Sequence, residues 1–261
     1  MIIKKKSIIM LLCALTIISS VAFGTIAYLT DRAGVTNRFT IGNVDVVVDE
    51  TEVDENGNPI PNPDYDPKDP NDPDDPNLRT EEENEYPLIP GSEYIKDPTM
   101  TVKAASEKAY VRMVVTLSNA AEIDAIFAEL QSLYPEKYPD GFVPGAFVTG
   151  RDNAVWVYTG AMVKNEVLNT YTLEFRYFEA VEPTATEDVV LPPLFETILI
   201  PGELSNTHLT QLTDFFIDID GHAIQTTGFD NADAAWTAFD AQMTATGTTS
   251  TGAVDTGAVE Q

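Results

Sequence analysis

Hydrophobic residues recur in this chain with two different periods, and the switches between them divide it into elements. Phe39 and Ile41, then Val44, Val46 and Val48, alternate with other positions as in a half-buried strand. The Asn43-Val44 step shifts that alternation, so the register of one strand through 28–48 stays open. Period two returns at 99–103 and at 109–117, where Ala-Tyr-Val-Arg-Met-Val-Val-Thr-Leu predicts a more buried strand, with 105–108 as the turn between them. The spacing then becomes helical: Ile123, Ile126, Phe127, Leu130 and Leu133 share one face of a helix over 120–133, with Asn119 placed to cap it. Strands are expected at 152–158 and 170–178, joined through a hairpin at 165–169. Another is expected at 194–200, ended by Pro201-Gly202, and the last at 215–225. Short helices are expected at 204–212, opened by Ser205 or Asn206, and at 232–241, carrying Trp236 and Phe239.

Between the first strands the pattern disappears. Residues 49–85 hold 15 Asp and Glu against Lys68 and Arg79, with seven prolines between Pro59 and Pro76. A proline lacks the backbone donor and disfavours helix at the residue before it, so an acidic, Pro-rich insertion at about 49–86 is expected to loop out, extended by its own charge. Asp54, Asn56, Asp64, Asp66 and Asp69 are its candidate calcium ligands. The D-x-N-G-N start at Asp54 does not continue as an EF-hand, because Tyr65 stands at the twelfth position where a bidentate Glu belongs. Loose condensation of cations is the plainer expectation, and no other cofactor is implied.

Lys4, Lys5 and Lys6 precede an apolar run at 8–23, followed by small residues at Thr25 and Ala27, the three parts of a secretory leader cut between Ala27 and Tyr28. The run approaches the ~20 residues that span a bilayer, so an uncleaved membrane anchor is the alternative. Cleavage leaves 28–242 as one β-rich domain and 243–261, rich in Thr, Gly and Ala, as a disordered tail. The only cysteine, Cys13, leaves with the leader, so neither disulfide nor thiolate chemistry remains. The formal charge of -27 becomes -30 once the three leader lysines are gone. A field of that sign repels nucleic acid and attracts divalent cations.

The leader, the Tyr28-Leu29-Thr30-Asp31 stretch and Asn37-Arg38-Phe39-Thr40-Ile41-Gly42-Asn43 resemble the TasA/camelysin family of secreted surface and biofilm-matrix proteins. Pro90-Gly91, Lys96-Asp97-Pro98, the Ala-Tyr-Val-Arg strand and His222-Ala223-Ile224-Gln225 extend the resemblance over most of the mature domain, each motif being short. It implies an antiparallel β-sandwich of jelly-roll type with short helical insertions. It also implies processing by a signal peptidase of SipW type, an extracellular or cell-surface location, and self-assembly or assembly with other matrix proteins. Fibres would form by donation of the 28–48 strand, with Phe39, Ile41, Val44, Val46 and Val48 as inward residues. The same segment could instead be the first strand of its own sandwich, and the two readings are evenly weighted.

The family's other implication is a secreted camelysin-like metallopeptidase. A zincin helix needs His-Glu-x-x-His, but His208 begins His-Leu-Thr-Gln-Leu, and His222 lies fourteen residues away in a predicted strand. His222, near Asp218 and Asp220, is the remaining metal candidate, with Glu203 as a distant partner. No Gly-x-Ser-x-Gly elbow and no Gly-rich phosphate loop is present, so the sequence nominates no catalytic residue.

Overall fold

The computed structural model describes residues 30–33, 38–41, 43–69 and 75–245, the first two stretches as backbone only. The proposed cleavage site at Ala27 and Tyr28, the leader and residues 246–261 lie outside the described residues. The architecture is mainly β and antiparallel throughout, a sandwich with short helices. Six strands form the larger sheet: β1 (Thr30–Ala33), β2 (Arg38–Ile41), β7 (Ala109–Leu117), β9 (Trp156–Asn165), β10 (Thr170–Tyr177) and β13 (Ile217–Gln225), in the order β2-β1-β13-β7-β10-β9. A second sheet has the order β11-β6-β3-β4, from β3 (Val46–Thr51), β4 (Arg79–Thr80), β6 (Thr99–Val102) and β11 (Val189–Val190). The third joins β5 (Glu93–Ile95), β12 (Thr197–Leu199) and β8 (Val148–Thr149).

The core fills the space between the sheets. Val44, Val46 and Val48 meet Met113, Val115 and Leu117 of β7 and Ile219 and Ala223 of β13 in one buried cluster. Helix α1 (Ala120–Leu133) adds Ile123, Ile126, Phe127 and Leu130, the face its periodicity predicts. Leu133 is exposed, since the helix has turned its last position outward. A smaller cluster lies where α3 (Ala232–Ala245) packs Ala235, Trp236 and Phe239 against Ile224 of β13. That helix runs past the expected start of the disordered tail at 243. Among the described residues no helix is long and apolar enough to cross a membrane.

Local details depart from the sequence reading at three places. Asn119 does not cap α1: it is left-handed (φ 57°), and its side-chain amide donates to the Gln211 and Thr213 carbonyls. The cap comes from across the fold, where Asn169 Oδ1 accepts from Ala121 N at 2.8 Å. Residues 152–155 form a turn rather than the start of a strand, with Asp152 Oδ1 accepting from Ala154 N, and β9 instead runs on to the hairpin. Its pairing with β10 shifts between Leu173 and Phe175, near Gly160 with φ 84°. The short helix α2 (Asn206–Gln211) is opened by Ser205, whose hydroxyl accepts from His208 N while His208 Nδ1 accepts from Ser205 N.

The third departure is the acidic insertion. Its expected start at 49 falls inside β3, because Val44, Val46, Val48 and Glu50 continue one buried alternation. The chain then folds back on that strand instead of looping away. Glu52 N donates to Leu78 O, Ile60 N to Glu52 O and Leu78 N to Ile60 O, each within 2.9 Å. Isolated bridges pair Val53 with Pro59 and Pro61 with Asn77. The prolines sit where no ladder donor is required of them, which is how Pro-rich chain borders a sheet. Arg79 secures the return: its guanidinium meets Asp49 at 2.7 Å and Asp97 at 2.9 Å. Asp97 also accepts from Thr51 N and Oγ1, so one carboxylate joins β3, β4 and the β5–β6 connection.

At the near end of the insertion Gly57 has φ +79° and is buried against Tyr94; a Cβ there would lie 2.4 Å from Tyr94 Cδ1. Gly57→Ala therefore meets both a strained backbone and a buried ring, and should cost about 1–3 kcal/mol in urea unfolding. An unchanged midpoint would show that this turn does not pack on the core.

Candidate functional site

The alternation that carries Val44, Val46 and Val48 into the core places the next residue of that face, Glu50, inside as well. A buried carboxylate requires a partner, and β5 ends beside one. Lys96 Nζ lies 2.6 Å from Glu50 Oε2, with both residues buried. Asn84 completes the set, its amide donating to Glu50 Oε1 at 2.7 Å and to Thr51 O, while its own carbonyl accepts from Val53 N.

This polar group forms one wall of a cleft of about 490 Å³ between the start of β13 and the end of β3. The apolar side of the cleft includes Val48, Phe147, Ile198, Ile200 and Ile217. Tyr86 stands beside the ion pair, with Lys96 Nζ 5.5 Å from its ring centre. Burial and the Glu50 charge hold its phenol well above the usual range, against the opposing hydrogen bond of the Asn84 side chain. Asp218, half-buried at the opposite wall, is pushed up to about 6 by burial first, then by Asp220 and Glu83, with Lys96 opposing weakly. Six carboxylate residues line the cleft against one ammonium, and its lining contains no His, Ser or Cys. Such a chamber, apolar on one side and polar on the other, is equipped for binding.

Of the calcium candidates, Asp54 and Asp66 engage their carboxylates in their own turns. Asp54 Oδ1 accepts from Asn56 N, Asn58 N and Asn58 Nδ2, bonds that hold its carboxyl below the usual range. Asp64 N donates to Asn62 Oδ1, and Asp66 Oδ1 accepts from Lys68 N. Asp69 N donates to Asp66 O. Asp54 and Asp66 thus build Asx turns. His222 is buried under α3: its Nδ1 accepts from Arg112 Nε at 3.1 Å and its ring stacks on Phe239, centroids 4.9 Å apart. Glu203 is elsewhere, held by Lys137 and Tyr138. Among the described residues no group of three or more His, Cys, Asp or Glu is arranged to hold a metal ion.

The candidate assembly residues separate into two strands. Val44, Val46 and Val48 are buried in the protein's own core on and beside β3. Phe39 and Ile41 lie on β2, at the outer edge of the larger sheet, paired in register with Arg32 and Thr30 of β1. In turn β1 pairs along β13, Thr30 with Ile224 through Ala33 with Gly221. Within the described part of 28–48, β2 occupies the edge and β1 lies between it and β13.

Glu50, Lys96, Asn84 and Tyr86 were not singled out from the sequence. One signal for Glu50 was present: period two through Val44, Val46 and Val48 lands on it. Asn84 and Tyr86 reach the cleft only because the insertion folds back, which no local pattern announces. Comparison with protein-family models, curated proteins and solved structures finds no match for this chain.

Two substitutions test the electrostatics. Lys96→Met strands the Glu50 charge and should cost about 3–5 kcal/mol, much of it recovered when Glu50→Gln is added; equal stability of the single and double variants would contradict the pairing. Asp218 has a raised pKa in the folded state, so its contribution to stability is present below about pH 4 and lost as pH rises through 6. Asp218→Asn should therefore flatten the stability profile between those values and stabilise at pH 7, by on the order of 1 kcal/mol after solvent screening. A profile unaltered by the substitution would place the titration elsewhere.

Proposed function

We propose that the protein is an exported surface or biofilm-matrix structural subunit, on a sandwich of jelly-roll type, that assembles by exchanging its amino-terminal strands. The observation that carries this reading is the position of β1 and β2. They join the larger sheet through the backbone ladder to β13, and the proposed cleavage before Tyr28 would leave them attached to the chain on their carboxyl side alone. A ladder of this kind is the same whether β1 comes from its own chain or from a neighbour. A sheet that lost them would end at β13 with an open edge.

The composition supports the same reading. A formal charge of -27 opposes close approach of identical subunits, so cations that reduce it promote association. The leader pattern supports export, with a SipW-type peptidase as the processing partner. The peptidase reading has less in its favour: one nitrogen of His222 is engaged by Arg112, and one of His208 by the Ser205 amide.

The secreted protein should begin at Tyr28, as amino-terminal sequencing will read, and should form filaments in a concentration-dependent way, more readily with calcium. Phe39→Asp with Ile41→Asp should abolish filaments in negative-stain microscopy, because it removes both large apolar side chains of β2 and adds two negative charges to subunits whose charge already opposes association. Filaments unchanged in that double variant, or a wild type that stays monomeric under every condition, would rule the mechanism out.

A further inference from the structure

The cleft between β3 and β13 is not used by the assembly reading and stands independently of it. We infer that it is a binding site for a small amphipathic amine, with the apolar body seated between Val48, Ile198 and Ile217 and the ammonium directed to Asp218. Three observations converge on this class of ligand. The volume of about 490 Å³ suits a compact organic molecule and is lined mainly by apolar side chains.

The charge selects the sign. Of the carboxylates around the cleft, Asp49 is neutralised by Arg79, and Glu50 by Lys96. Glu83, Glu85, Asp214 and Asp218 also line it, and none of the four has an ion-pair partner among the described residues. An anionic head group would meet that excess and find the single ammonium already paired. A cation is drawn in.

The third observation is the Tyr86 hydroxyl. It lines the cleft beside Asn84, and a phenol can both donate to and accept from a polar atom of the occupant. Asp218 is raised to about 6 by burial, by Asp220 on its own strand and by Glu83 across the cleft, with Lys96 the only cation acting on it. A bound ammonium favours the ionised carboxylate, so binding should strengthen as pH rises from 5 to 7 and release a proton near 6.

The test is isothermal titration calorimetry of the full-length protein with phenethylamine, 2-phenylethanol and phenylacetate, three probes of one shape and different charge. The amine should bind at least about tenfold more tightly than the alcohol, and phenylacetate should not bind. Asp218→Asn should bring the amine down to the affinity of the alcohol and remove the pH dependence, while leaving the alcohol unchanged. Leu88→Trp, which places an indole in the cleft, should block amine and alcohol together; thermal melting of each variant verifies that it is folded. Equal binding of amine and alcohol, an amine affinity unaffected by Asp218→Asn, or binding that survives Leu88→Trp would each overturn the assignment. So would a folded wild type that binds none of the probes.

Discussion

The pairing of β7 with β13 is the constraint on which the rest of the fold depends. Nine residue pairs run in register from Leu117 with Ile217 to Ala109 with Gln225. β7 is buried along nearly its whole length on both faces, so the strand has to satisfy two environments at once. Its inward residues, among them Met113, Val115 and Leu117, meet the sandwich core. Its outward Arg112 is almost fully buried, and that guanidinium is matched by Glu174 at 2.8 Å, Asp240 at 2.6 Å and the His222 ring nitrogen. Its Cζ also lies 4.5 Å from the Trp236 ring centre. A buried cation without those partners would cost several kcal/mol, so the sheet holds α3 in place as firmly as α3 covers the sheet.

From that axis the functional surfaces follow. The far edge of β13 is where β1 adds, and the first residues of β13 form a wall of the cleft. The acidic composition gives each buried or half-buried cation an organising role out of proportion to its number. Arg79 draws the insertion back onto β3, Lys96 neutralises the inward Glu50, and Arg176 reaches from Glu174 to Asp233 at the start of α3. These bridges connect segments far apart in sequence, in a described structure without disulfides. They replace covalent staples with geometry.

Much of this was legible where packing is local. The β7 strand and α1 lie within the bounds that period two and period 3.6 set, and Trp236 and Phe239 mark the buried face of α3. The parts that could not be read depend on distant partners. Asn119 has the composition of a cap, but Asn169 reaches α1 from the β9–β10 hairpin and takes that role. The insertion has the composition of a free loop, yet Arg79 and three backbone hydrogen bonds fold it along β3. His222, with Asp218 and Asp220 close by in the chain, suggested a metal; its ring nitrogen instead accepts from Arg112 beneath α3. Composition and period describe a residue's neighbours in the chain, whereas the cleft is built by neighbours across it.

The central functional claim is that β1 leaves its own β13 for that of another subunit. It can be read directly from the register, which sets Asp31 opposite Ala223. In a Cys13→Ser background, chains carrying Asp31→Cys are mixed with chains carrying Ala223→Cys and oxidised during assembly. Strand exchange predicts a disulfide-linked heterodimer on non-reducing gels, increasing with concentration. A cross-link that forms only when both cysteines are in one chain, with no heterodimer at any concentration, would show that β1 stays in its own sheet and would contradict the account.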